Sequence, residues 1–137
     1  MIKKHKDNLN KLADYLDALP IDYKHFNMGY FLAVGLERGE GIHCPSIERD
    51  IDEASTIDLN ECGACACAIG HGPSAGIPVC RDPTWSDYAI RVFGFDFSDD
   101  AEGDYMFGSD HPNDPQLAAR RIRAVLNGSW QFADRHG

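Results

Sequence analysis

Cys62-Gly63-Ala64-Cys65-Ala66-Cys67-Ala68-Ile69-Gly70-His71 puts three cysteines and a histidine within ten residues, and the reading of this stretch decides the fold. Its side chains are nearly all small, and a helix dense in Ala, Gly and Cys lets other backbones come close. Asn60 can cap such a helix, Gly70 or Gly72 can end it, and Pro73 bars its continuation. The pattern therefore predicts a central buried helix starting at Glu61. The same residues are candidates for chemistry. Zinc prefers thiolate and imidazole ligands, and Cys62-x-x-Cys65 is a familiar half-site, so the candidate metal ligands are Cys62, Cys65, Cys67 and His71. At about 100° per residue, Cys62 and Cys65 share one helix face while Cys67 and His71 share nearly the opposite one. One ion cannot take all four from a regular helix. A site would need His43, Cys44 or Cys80 from the loops, or a non-helical segment. The other chemistry is a cysteine nucleophile at the helix start, activated by the dipole, with His71 or His43 as base. Against both stands the plain role of a small buried packing residue.

Upstream, Leu9, Leu12, Ala13, Leu16 and Leu19 recur at helical spacing until Pro20, which predicts a helix near residues 4 to 19. Phe26 to Val34 are apolar almost throughout and suit either a short helix capped by Asn27 or a strand; the helix is preferred. Residues 35–56 hold Gly39, Gly41 and Pro45 and read as a long loop, with a short helix near 46–54. Downstream, Thr84 is an N-cap with Asp87 at the third helical position, and Trp85, Tyr88, Ala89, Val92 and Phe93 form a stripe ended by Gly94. Ser98 marks another start, with Ala101, Tyr105 and Met106 inward. Asp114-Pro115 opens a last helix through Asn127, with Leu117, Ala118, Ile122, Val125 and Leu126 inward. Residues 129–137 form a tail that docks through Trp130 and Phe132. The expected fold is all-α: one domain over 1–137, a compact bundle of about five helices with a long loop before the cysteine-rich helix.

A chain of 137 residues with 43% apolar content is large enough to bury its own core. No apolar run approaches the ~20 residues that cross a bilayer, and no apolar signal core follows Met1. The reading is a cytoplasmic protein whose five cysteines stay reduced. A net charge of −9 argues against nucleic acid and anionic membranes as partners, because both demand excess Lys and Arg. Asp96, Asp99, Asp100, Glu102, Asp104, Asp110 and Asp114 fall in a run without Lys or Arg. Such a run is usually a solvated face, and its sharper reading is a surface that docks on a basic protein. Asp96, Asp99, Asp100, Glu102 and Asp104 are the candidate partner-binding residues. The run is not a calcium loop: Ala101 stands at the sharp turn and Phe107 at the last ligand position. There is no Gly-x-Ser-x-Gly, Walker loop, His-Glu-x-x-His or Gly-x-Gly-x-x-Gly, so no motif argues for an enzyme. His111 reads as a loop histidine, and Arg120, Arg121 and Arg123 as a solvated helix face.

The order Cys62-Gly-x-x-x-Cys67-Ala-Ile-Gly-His71-Gly-Pro-x-Ala-Gly-Ile, Trp85-x-x-Tyr88-x-x-x-x-Phe93, Met106-Phe107-Gly108-Ser109, Asp114, Ala118-Ala119-x-Arg121-Ile122 and Leu126-x-Gly128 resembles a group of small uncharacterised proteins of bacteriophages and bacteria. The likeness covers residues 62 to 128, about half the chain, with similar pieces at Leu12-Ala13-Asp14-Tyr15-Leu16 and Phe26-Asn27-Met28. It implies a phage or mobile-element origin and a helical fold rather than a reaction. Cys65 departs from the group's usual Thr, Val or Ala, which counts against a shared Cys-x-x-Cys metal site. Tyr105 and His111 stand where the group frequently has Trp. The functional expectation is a non-enzymatic acidic binding protein that meets a basic host protein in the host cytoplasm, in counter-defence or host takeover, with no cofactor. The rival is a zinc-binding protein or cysteine-dependent enzyme centred on Cys62, Cys67 and His71.

Overall fold

Leu9, Leu12, Ala13 and Leu16 lie on one stripe of the first amphipathic segment, and all four are fully buried. The computed structural model describes residues 1–21, 23, 25–28, 31–37, 42–48, 51–53, 64–96, 100–108 and 111–132. In it that stripe belongs to α1, Lys3–Asp17. Burying each of its leucines is worth about 1.5–3 kcal/mol, so the stripe, and not intrinsic propensity, holds the helix in place. Three more helices follow late in the chain: α2, Trp85–Phe93; α3, Ala101–Phe107; and α4, Pro115–Leu126.

Their ends follow the local signals. The Thr84 hydroxyl accepts the Asp87 amide at 3.1 Å and donates to the Asp87 carboxylate at 2.8 Å. Gly94 closes α2 at φ 79, a left-handed conformation that costs glycine nothing. Asp114 accepts the Gln116 and Leu117 amides at 3.0 and 3.1 Å, with Pro115 in the first turn. Only α3 starts later than expected: its N-cap is Asp100, while Ser98 lies outside the described residues. Ala101 is exposed there, and Met106 and Phe107 supply the buried face instead.

Helix α1 packs most extensively on α4 and also meets α2, while α3 rests on α4. Ala118 and Ala119 keep the inner face of α4 small beside Ile122 and Val125. Polar side chains fasten the crossings. Gln116 Nε2 donates to the Leu19 carbonyl at 2.8 Å and the Leu16 carbonyl at 3.3 Å, satisfying orphan acceptors at the end of α1. Arg123 reaches Asp14 at 2.8 Å and Asp17 at 3.0 Å. From α1, the His5 ring donates to the Arg91 carbonyl at 3.1 Å and Asn8 to the Val92 carbonyl at 2.9 Å, completing the end of α2. Arg123 is thus a clamp, and the expected solvated face of α4 is corrected at that residue. Arg121 also departs from it, lying 5.1 Å over the Tyr105 ring and donating to the Tyr105 carbonyl at 3.2 Å.

The helical expectation holds for these four elements, but the all-α reading is corrected by a three-stranded antiparallel sheet in the order β2-β1-β3. It comprises β1, Ala33–Glu37; β2, Ile42–Glu48; and β3, Ala64–Cys65. The long loop expected over 35–56 is therefore largely β2 and part of β1, followed by a single 3₁₀ turn at Ile51–Glu53. Pairing runs Ala33 to Glu48, Val34 to Ile47 and Gly35 to Ser46, then jumps to Leu36 with His43. The jump skips Cys44 and Pro45. Proline has no N–H for the ladder, so it sits where the ladder is interrupted. The preferred helix over 26–34 is likewise replaced, by an isolated bridge at Phe26 and by β1. Among the described residues no helix is long and apolar enough to cross a membrane.

Candidate functional site around His71

The stretch expected to be a central helix is not one. Residues 61–63, with Cys62, lie outside the described residues; from there the chain runs through β3, bridges Phe26 in parallel through Ala66, and then coils through successive turns over 68–76. His71 donates its amide to the Cys67 carbonyl at 3.0 Å, Gly72 to Ile69 at 2.9 Å, Ala75 to His71 and Gly72 at 3.0 Å each, and Ile77 to Gly72 at 3.1 Å. Small residues here serve close approach, as anticipated, but the approaching backbone is that of residue 31. A Cβ on Gly70 would stand 1.6 Å from the Phe31 carbonyl oxygen, so no other residue fits.

Cys65, Cys67 and Ile69 are buried in the core at 2%, 3% and 1% exposure. His71 is fully buried, the one buried polar side chain among the described residues. Its ring stacks on Phe26, centroids 5.6 Å apart and 21° between planes, and is flanked by Tyr23 at 5.8 Å and Tyr15 at 6.0 Å. Three parts of the chain thus close on it: α1 through Tyr15, the segment 23–28 through Tyr23 and Phe26, and its own turn. Nε2 lies 3.1 Å from the His25 carbonyl. A carbonyl only accepts, so the proton sits on Nε2 and Nδ1 presents a bare lone pair. Nδ1 has no partner in hydrogen-bonding geometry among the described residues. Burial, above all, pushes the ring's pKa down to about 4; the His25 and Ala66 backbone groups oppose this, and the charge of the nearby His25 adds to it.

This arrangement suits structure better than nucleophilic catalysis. A neutral imidazole facing carbonyl and aromatic rings is no base for a thiol, and a candidate base must reach the proton it removes. Among the described residues no three His, Cys, Asp or Glu side chains converge to hold a metal ion. The candidate ligand set is not assembled by them: Cys65 belongs to β3, Cys67 follows the bridge, and His71 commits Nε2 to a carbonyl. Cys80 is exposed on the loop before α2, where its amide donates to Asp82 at 3.1 Å.

The acidic candidates fall on and before α3, with Asp99 outside the described residues. The Asp96 amide donates to the Asp100 carboxylate at 2.9 Å, and the Asp100 amide returns a bond to the Asp96 carbonyl at 2.8 Å, closing one turn. At the other end of α3 the His111 ring lies 2.8 Å from the Asp104 carbonyl, a role the loop reading did not foresee. The ion pairs of the described residues join Lys3 to Asp7, Arg91 to Asp82, and Arg123 to Asp14 and Asp17. None neutralises Asp100, Glu102 or Asp104. Sequence reading missed the bidentate Arg91–Asp82 pair, with Nε–Oδ1 and Nη2–Oδ2 both at 2.9 Å, and the aromatic neighbours of His71. Arg91 extends from α2 onto the preceding loop, also donating to the Pro78 carbonyl at 2.9 Å. No family model, curated protein or solved structure matches the chain.

Proposed function

We propose that the protein acts by binding, presenting the acidic surface of α3 to a basic protein, and that it does so as a phage or mobile-element protein directed at a host factor. The observation that carries this reading is the contrast in how polar groups are used. Cys65, Cys67 and His71, the chain's candidate reactive groups, are enclosed in the core, whereas Asp100 and Asp104 stand exposed with no counter-cation among the described residues. One carboxylate at a helix start is enough for capping; further acids of the same sign add repulsion to the fold and a long-range field to the surface. A field of this kind raises association rates toward a basic patch and weakens with salt, since the screening length is about 8 Å at physiological ionic strength.

The role of counter-defence or host takeover rests on the sequence resemblance together with charge. The test is capture from host lysate with the wild-type chain and with the triple variant Asp100→Lys, Glu102→Lys, Asp104→Lys. The reading expects a partner of basic surface whose association slows many-fold in the variant and in raised salt, with an unchanged melting temperature. A partner indifferent to both changes refutes it. One equivalent of zinc retained by the purified protein through dialysis would transfer the function to the cysteine segment.

A further inference from the structure

We propose that His71 is an acid-operated latch, holding the Phe26–Ala66 bridge and its attached strand against the helical core while neutral and releasing them when it takes up a proton. The geometry requires a single ring to serve three contacts at once: Tyr15 of α1, the Tyr23–Phe26 segment, and the turn that carries it. With Nε2–H given to the His25 carbonyl, a second proton goes to Nδ1, which faces no acceptor in bonding geometry among the described residues. The cation formed there is fully buried. The ionisable groups that face the ring are Tyr15 from α1, Tyr23 and His25 from the opposing segment, and Cys67 from its own turn; the one whose charge acts on it, His25, is itself a base and adds repulsion. No carboxylate acts on it to hold the charge in place. Water must reach the ring, and water enters only if the three segments part.

The sign follows from linkage. A histidine whose pKa is lower in the closed form binds its proton better in the open form, so closure is unaffected above the open-form value and weakens as pH falls below it. The window runs from the ordinary 6.5 down to about 4, below which the effect saturates. Across it the open fraction grows about tenfold per pH unit.

Two backbone amides report the latch directly, because Asn27 donates to the Ala66 carbonyl at 2.9 Å and Ala66 to the His25 carbonyl at 3.0 Å. The experiment is amide hydrogen exchange of the full chain from pH 7 to pH 4, corrected for intrinsic rates, alongside a ¹⁵N ring titration of His71. Protection of Asn27 and Ala66 is expected to fall about tenfold per pH unit below about 6.5, flattening near the ring's own midpoint of about 4. His71→Phe keeps a stacking ring without the titrating nitrogen and should abolish the slope; His25→Gln, whose backbone carbonyl remains, should retain it. A slope that persists in His71→Phe overturns the proposal. Should that variant not fold, the wild-type ring decides: titration at an ordinary value with protection intact, or no titration at all because a metal holds the ring, overturns it equally.

Discussion

Trp85 offers two substitutions with opposite expected outcomes. Its indole is 6% exposed, stacks on Phe31 with centroids 6.0 Å apart at 12°, and meets Tyr88 edge-on at 5.7 Å and 90°. Truncation to Ala removes a large buried ring, which costs about 3–5 kcal/mol and includes the aromatic contacts, worth about 0.5–1.5 kcal/mol each. Set against a domain stability of about 5–15 kcal/mol, Trp85→Ala leaves a marginal fold. Yet Nε1 is buried with no hydrogen-bond partner among the described residues, a burden of about 1–3 kcal/mol on the native state. Trp85→Phe keeps most of the stacking and removes the orphan donor. Its smaller ring gives up about 1 kcal/mol of burial at 25 cal/mol per Å², so the two terms nearly cancel. Urea unfolding followed by far-UV circular dichroism should place Trp85→Phe within about 1 kcal/mol of wild type, on either side, and Trp85→Ala several kcal/mol below it. A Trp85→Phe variant as damaged as Trp85→Ala would show that the indole N–H is bonded in the native protein, and the accounting would fail.

Cys67→Asp should unfold the chain because a buried carboxylate without a partner costs several kcal/mol, while Cys67→Ala should cost about 1 kcal/mol; thermal melts separate the two. Gly70→Ala should destabilise by several kcal/mol, since its Cβ would meet the Phe31 carbonyl at 1.6 Å, and a melting point equal to wild type would rule out that close approach. Arg123→Ala should cost no more than about 1 kcal/mol despite losing contacts to Asp14 and Asp17, because Asp14 and Asp17 are 75% and 49% exposed; denaturant titration at low and high salt is the check. The Arg91–Asp82 pair is better sheltered, with Asp82 7% exposed, and its hydrogen bond holds the Asp82 carboxyl below its ordinary value. That stability is complete above about 3.8 and is lost as pH falls further, so Arg91→Ala should flatten the acid limb of a pH–stability curve below the window assigned to His71.

The helical half of this fold was readable because each of its instructions is local. Thr84 with Asp87, Asp114 with Pro115, and the apolar stripes of α1 and α2 act within a turn or two of where they are written. The sheet was not readable for the opposite reason. Pro45 interrupts the ladder inside β2, so the segment lacks the clean alternation that announces a strand, and its pairing depends on a register set by residues elsewhere in the chain. The composition of the cysteine stretch announced correctly that something would pack closely there, and Cys67 and Ile69 are core residues as expected. Composition does not distinguish a helix from a strand followed by turns, however. The cage around His71 was out of reach altogether: Tyr15, Tyr23 and Phe26 lie some 45 to 56 positions away, a distance over which neither spacing nor capping carries information. For α3, by contrast, the acidic run was seen for what it is, a surface whose charges the rest of the chain leaves uncompensated among the described residues.

The seating of α1 against α4 imposes a delay during synthesis. The Gln116 side chain that completes the end of α1 is separated from Leu16 by 100 residues. At translation speeds of about 5–20 residues per second, a finished α1 waits about 5–20 s outside the ribosome before its principal neighbour emerges. Throughout that interval Leu9, Leu12 and Leu16 have no α4 to cover them, and an amphipathic helix left in this state is what holdase chaperones recognise. The nascent chain is therefore most vulnerable early, and a message that stalls before residue 115 releases a product whose first helix has lost the surface it was built to meet.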